Sequence, residues 1–104
     1  MGSLLRKQAV LLTSAGLILA AGGCWASDTT QARNLAANCA TCHGTNGKSA
    51  AGMASLAGQR KEYIIQQVQD FKSGKRPATV MQQLAKGYTD EQIALIAEYF
   101  SAQR

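Results

Sequence analysis

The chain has 104 residues, a formal net charge of +5 at pH 7 and a hydrophobic content of 46%. Its length limits it to one small domain, and the sequence contains no internal repeat, low-complexity tract or linker to a second domain. No stripe of interleaved basic and aromatic residues accompanies the positive charge, so we expect no nucleic-acid partner.

Residues 1–26 have the pattern of a secretory signal peptide. Two basic residues precede an apolar run over residues 9–21, which is too short to span a bilayer but suits the apolar core of such a signal. Small residues end the segment, and cleavage after Ala26 leaves residues 27–104 as the mature domain.

Two other fates of this segment stay open. Cleavage within LAAGGC would leave Cys24 lipidated, although Ala21 stands where such sites usually have leucine. Alternatively, the uncleaved segment would remain as an anchor. All three fates export the domain, so we expect a periplasmic protein that is held at the membrane only if the signal is retained or Cys24 is lipidated.

The mature domain is small for a protein that depends on its hydrophobic core alone. Residues 27–104 carry nine Lys and Arg against six Asp and Glu, a net charge of +3. A chain of this size buries only about 60% of its unfolded surface and usually needs an additional stabilising group. A disulfide between Cys39 and Cys42 would close a very small loop and restrain little, so we expect a different group.

Three helices are predicted, and the absence of any alternating strand pattern makes the fold class all-α. The first helix covers residues 29–39 and is rich in alanine. Residues 44–59 contain four glycines and are predicted to be a loop. The second helix covers residues 60–72, with apolar residues along one face, and Gly74 ends it.

The last helix has the clearest signals. Thr89 and Gln92 form a capping box, and the intervening acidic residues lie at the positive end of the helix dipole. Behind the cap, apolar residues recur at helical spacing. These residues are Ile93, Ile96, Ala97 and Phe100.

The stretch CATCH places Cys39, Cys42 and His43 within five residues. A structural zinc site needs four ligands and a catalytic site three, but the mature chain has no second histidine and no further cysteines. A thioredoxin-like dithiol opens a helix after a strand, whereas these cysteines end a predicted helix in a chain without predicted strands.

C-x-x-C-H is, by contrast, the attachment signature of c-type haem. Cysteines one helical turn apart can reach two vinyl groups on one porphyrin edge, and the adjacent histidine can then face the iron. One covalently bound haem c would also give the short helices of this small domain an apolar surface to pack on. We therefore expect Cys39, Cys42 and His43 to bind a haem.

The second axial ligand must come from elsewhere in the chain. A haem that transfers electrons usually has both axial positions filled, and a His/Met pair raises its potential. Met53 and Met81 are the candidates, and chain length alone does not exclude Met53. The helix over residues 60–72 must lie along the haem edge before the chain returns on the opposite face, which favours Met81 in a loop after Pro77. The other methionine is expected to be ordinary packing.

With these residues the chain resembles the class I cytochromes c over residues 29–103. The resemblance implies that the N- and C-terminal helices cross and that the haem lies in an apolar pocket with one edge exposed. It implies thioether bonds to Cys39 and Cys42 and axial ligation by His43 and Met81. The stretches FKSGKRPATVM, AKGYTDEQI and AEYF are especially similar to the haem subunits of flavocytochrome c sulfide dehydrogenases.

The loop after the haem motif departs from this pattern. Members of the family often have prolines here, one of which supplies the carbonyl that orients the proximal histidine, whereas this chain has Ala51 and Ala54. A backbone carbonyl is still available to the ring N–H of His43, although the loop is expected to be looser.

The resemblance implies a one-electron transfer subunit without catalytic residues of its own, which accepts electrons from an FAD-containing sulfide dehydrogenase subunit. A freely diffusible electron carrier is the alternative, and a haem sensor or peroxidase-like module is a third possibility if the sixth position is labile. Four basic residues near Met81 would favour an acidic partner, or they form a merely solvated surface. They are Lys72, Lys75, Arg76 and Lys86.

Overall fold

The computed structural model describes residues 28–104, which form four α-helices and one 3₁₀ turn. The helices are α1 (Asp28–His43), α2 (Lys61–Ser73), α3 (Met81–Lys86) and α4 (Asp90–Ser101), and the 3₁₀ turn covers Thr45–Gly47. No strand occurs in this part of the chain, so the all-α prediction is confirmed. The predicted signal segment, residues 1–26, lies outside the described residues.

Helix α1 extends four residues beyond its predicted end at Cys39. It ends at His43, so the whole CATCH stretch lies in the last turns of the helix. The helix stops there because Gly44 has a φ of 90°, a conformation that an α-helix cannot accommodate. The sequence prediction was wrong at this boundary because the pattern of a short alanine-rich helix does not fix its last turn.

Helix α3 replaces part of the predicted loop after Pro77. The carbonyl of Val80 accepts hydrogen bonds from the amides of Gln83 and Leu84, both at 3.0 Å, and these bonds start the helix. The stretch MQQLAK consists of good helix formers, but six residues are too few for a periodic pattern to reveal. Met81 is therefore the first residue of a helix rather than part of a loop.

The core lies where α1 and α4 pack against each other and against α2. Ala36 of α1 and Ala97 of α4 are almost fully buried, and their small side chains allow the helices to approach closely. Ile64 of α2 joins them, together with Ile96 and Phe100 of α4.

The predictions for α2 and α4 are confirmed. Helix α2 begins and ends within one residue of the predicted bounds, and Gly74 caps its C-terminus in the left-handed conformation. In the capping box of α4, the hydroxyl of Thr89 accepts from the Gln92 amide at 3.2 Å. The Thr89 amide in turn donates to the Gln92 side chain at 2.9 Å. All four apolar residues predicted to face the core from α4 are buried.

Candidate functional site

The last turn of α1 carries two free cysteines and a histidine. Cys39 is half-buried and packs against the core, whereas Cys42, three residues later, is exposed. Burial raises the pKa of the Cys39 thiol, so this thiol is uncharged at neutral pH. Residues three apart on a helix lie on the same face, so both sulfurs are presented on one side of α1.

His43 is buried, with only 9% of its surface exposed. Its Nδ1 atom lies 2.6 Å from the backbone carbonyl oxygen of Ala54. A carbonyl only accepts hydrogen bonds, so Nδ1 carries the proton and donates it, which leaves the lone pair of Nε2 free for a metal. The hydrogen bond also fixes the orientation of the ring, as the partners of metal-bound histidines generally do.

The loop after α1 is folded back so that it can deliver the Ala54 carbonyl. The carbonyl of Gly47 accepts hydrogen bonds from Leu56 at 2.8 Å and from Ala57 at 3.2 Å. The amide of Gly58 donates to the carbonyl of Phe100 at 3.0 Å. Gly47 is buried, and a Cβ at this position would lie 2.7 Å from the Phe100 ring, so the loop can pack on α4 only without a side chain here.

A second hydrogen bond ties this loop to α4. The hydroxyl of Tyr99 donates to the side-chain oxygen of Asn46 at 2.7 Å. Asn46 has a positive φ of 56°, which asparagine tolerates better than most residues do. The structure therefore restrains the loop although prolines are missing from it.

The two candidate methionines lie in different surroundings. Met81 is half-buried at the start of α3, between Val80 and Leu84, whose exposed fractions are 56% and 43%. Met53 is exposed and directly precedes Ala54. The Ala54 carbonyl approaches Nδ1 of His43, so the Met53 backbone lies at the side of the ring that faces away from a metal at Nε2.

Two of the four basic residues near Met81 are engaged within the protein. The ammonium of Lys72 donates to the carbonyl of Tyr88 at 2.7 Å. The guanidinium of Arg76 lies over the Phe71 ring, 4.7 Å from its centroid. Of these four residues, Lys75 and Lys86 are exposed and make no side-chain contact within residues 28–104, so the basic surface near Met81 is smaller than the sequence predicts.

Sequence reasoning expected a backbone carbonyl of this loop for the His43 ring without saying which one, and it missed a second group that organises this region. The Ala54 carbonyl belongs to the backbone, and no residue type marks it. The side chain of Tyr88 receives a hydrogen bond from Asn38 at 3.2 Å, a pairing across 50 positions that no local pattern reveals. Only the family's frequent prolines near Ala54 gave any signal for the first of these groups.

These groups fit the chemistry of a covalently attached haem. Two thiols one helical turn apart are available for thioether bonds. The buried imidazole of His43 donates from Nδ1 to a backbone carbonyl and leaves Nε2 free to bind the iron. Half-exposed apolar side chains on α3 and in the loop offer surfaces for a large flat apolar group. Among residues 28–104, no three His, Cys, Asp or Glu side chains come together as a metal site, and no helix is long and apolar enough to cross a membrane.

Comparison with known proteins identifies the class. Residues 26–100 match the family model described as "Cytochrome C oxidase, cbb3-type, subunit III". The chain is 43% identical, over 86% of its own length and 93% of the relative, to the cytochrome subunit of sulfide dehydrogenase from Chlorobaculum tepidum. The chain belongs to the class I c-type cytochromes, and its haem c supplies an iron that takes up and releases one electron.

Cytochromes of the c4 type are also similar. Cytochrome c4 of Pseudomonas aeruginosa is 37% identical over the whole chain, which spans 50% of that relative. The solved structure of cytochrome c4 from Acidithiobacillus ferrooxidans superposes with a TM-score of 0.59 and 45% identity, covering 62% of this chain and 37% of that one. This neighbour confirms the class I fold.

Proposed function

We propose that this chain is the haem subunit of an exported sulfide dehydrogenase and accepts electrons from an FAD-containing partner. The observation that carries this proposal is the 43% identity to a cytochrome subunit of sulfide dehydrogenase, 93% of which the chain covers. The similarity therefore extends over nearly the whole of that relative. The signal pattern of residues 1–26 supports export, and in this proposal the protein works in the periplasm.

In this proposal Cys39 and Cys42 hold the haem through thioether bonds, and His43 is the proximal ligand. The hydrogen bond from Nδ1 to the Ala54 carbonyl supports this assignment because it directs Nε2 to the metal and increases its basicity. Burial of the imidazole keeps water away from that bond.

Met81 is the distal ligand in this proposal. The surroundings of the rival candidate support the assignment. Met53 directly precedes Ala54, whose carbonyl binds Nδ1 of His43, on the side of the ring that faces away from a metal at Nε2. Apolar neighbours of Met81 would keep water from the sulfur, and a thioether ligand favours the reduced state and raises the potential. The side chains of this chain thus hold the haem and set its potential, and they perform no bond-breaking step.

The experiment uses the exported holo-protein, purified without a tag, and the FAD subunit of a sulfide dehydrogenase from the same organism. We expect the two to elute together at 1:1 on size exclusion. We also expect sulfide to reduce the haem only when the flavoprotein is present. Free FAD with sulfide is the control for direct chemical reduction.

A different outcome would favour the second candidate, a freely diffusible carrier. The similarity to cytochromes c4 favours that candidate. A monomer that forms no complex, stays oxidised with sulfide and flavoprotein, and yet exchanges electrons with several other redox proteins would refute the subunit proposal.

A further inference from the structure

The segment that carries Met81 is held by few apolar contacts of its own. Helix α3 packs mainly on α2 and contributes a single buried side chain, that of Ala85. Val80 and Leu84 are exposed. A six-residue helix is not stable in isolation, so other contacts must fix the position of Met81.

The start of the segment is anchored through Arg76. Its amide donates to the carbonyl of Asp70 at 3.0 Å. Its guanidinium donates to Gln67 and lies 4.7 Å from the centroid of the Phe71 ring. All three partners belong to α2, so the chain leaves Gly74 along the end of that helix.

The end of the segment is anchored through Lys72 and Tyr88. The Lys72 ammonium donates to the Tyr88 carbonyl at 2.7 Å, and the Tyr88 ring packs against the core. The Tyr88 hydroxyl accepts from Asn38, the neighbour of Cys39 on α1. One chain of contacts therefore runs from α2, through the residue that follows α3, to the turn of α1 that carries the cysteines.

A carboxylate supports the lysine from α4. Asp90 lies 3.5 Å from the Lys72 ammonium and accepts from the Gln69 amide at 2.8 Å. The hydrogen bond from Gln69 and the charge of Lys72 lower the pKa of Asp90. The Lys72 side chain is only 29% exposed, which makes it the better-enclosed partner of the pair.

We propose that Lys72 is a positioning residue for the methionine side of the haem site. Its hydrogen bond to the Tyr88 carbonyl closes the segment over residues 74–88 against α2 and ties it to the turn of α1 beside Cys39. Loss of this bond allows the Met81 end to open while the core remains folded. The inference rests on the proposed function, in which Met81 is an axial ligand.

The test measures how easily imidazole displaces the methionine in the oxidised holo-protein. The apparent affinity of imidazole is proportional to the fraction of molecules in which the Met81 segment is open. The variant is Lys72→Met, which removes the ammonium and keeps an apolar chain of similar length. Lys75→Met is the matched control. Lys75 lies three residues after Lys72 and is exposed, so this substitution removes the same charge without removing the hydrogen bond to Tyr88.

We expect Lys72→Met to raise the affinity for imidazole about tenfold, the effect of one charge-assisted hydrogen bond. Lys75→Met is expected to stay within about twofold of the natural protein, because it makes no such bond. Equal affinities in the two variants would overturn the proposal.

Two further measurements keep the outcome unambiguous. Tyr88→Phe keeps Lys72 and removes the hydroxyl that meets Asn38, and we expect about a threefold rise. It tests only the link from Tyr88 to α1, because the Lys72 bond to the Tyr88 carbonyl remains. If Lys72→Met does not fold, Lys72→Leu carries the Lys72 test, and an affinity equal to that of Lys75→Met would then overturn the proposal. The weak red band that oxidised haem shows with a thioether ligand is recorded for the natural protein. Its absence would refute Met81 ligation itself, whereas its presence with equal variant affinities would refute only the role of Lys72.

Discussion

Replacing Cys39 and Cys42 together with serine is expected to give a protein without covalent haem that is mostly unfolded at 25 °C. The reason lies in the size of the core. Of the eight buried apolar residues in the described part of the chain, four are alanines. Domains of this size rarely obtain more than about 3–5 kcal/mol from one hydrophobic core, so the haem must supply much of the buried apolar surface.

The measurements are the intact mass and the far-ultraviolet circular dichroism. We expect the mass of the polypeptide alone and a loss of more than half of the helical signal, which is the direction that small domains with tightly bound groups generally show. Cys42→Ser alone is the control, because the thioether at Cys39 remains and the fold should survive. A haem-free double variant with the helical signal and melting temperature of the natural protein would contradict the role of the haem as the main stabilising group.

Replacing Gly44 with alanine is expected to lower the free energy of unfolding by about 3–5 kcal/mol. Gly44 has a φ of 90°, and an added Cβ would lie 1.9 Å from the backbone oxygen of Lys48. A backbone atom cannot rotate away as a side chain can, so the turn itself must open. That turn directly follows His43 and begins the loop that presents Ala54, so the histidine should lose its fixed orientation as well.

Thermal unfolding of the holo-protein measures this effect. The melting temperature should fall by about 15 °C or more for a domain of this size. Gly52→Ala is the matched control, since Gly52 also has a positive φ, of 68°, but an added Cβ would meet nothing within 4 Å. That variant should cost only about 1–2 kcal/mol of backbone strain. Equal losses in the two variants would show that the contact with Lys48 does not matter.

The parts of the fold that could be predicted are those with strong local signals. Helix α4 combines a capping box with a long apolar period, and its buried face agrees with the prediction. The glycine after α2 ends that helix as expected. Both features arise from neighbours in sequence, so a single sequence contains the information.

The parts that could not be predicted depend on contacts between distant positions. The true end of α1 at His43 follows from Gly44 and its contacts with residues further along the loop. Helix α3 is stabilised by packing on α2 rather than by its own pattern. The sequence predicts that Lys72 is part of a basic surface, whereas in the structure its ammonium donates a hydrogen bond to the Tyr88 carbonyl. The cysteines and the histidine, in contrast, form a motif whose spacing alone predicts haem attachment.

The central claim is that His43 and Met81 together hold the iron of an electron-transfer haem. It is tested most directly by spectra of the natural protein, Met53→Ala and Met81→Ala, recorded oxidised and then reduced under carbon monoxide at neutral pH. The natural protein and Met53→Ala should show the red thioether band when oxidised and bind no carbon monoxide when reduced, because both axial positions are filled. Met81→Ala should lose the band and bind carbon monoxide. Retention of the band in Met81→Ala, its loss in Met53→Ala, or carbon monoxide binding by the natural protein would contradict the claim.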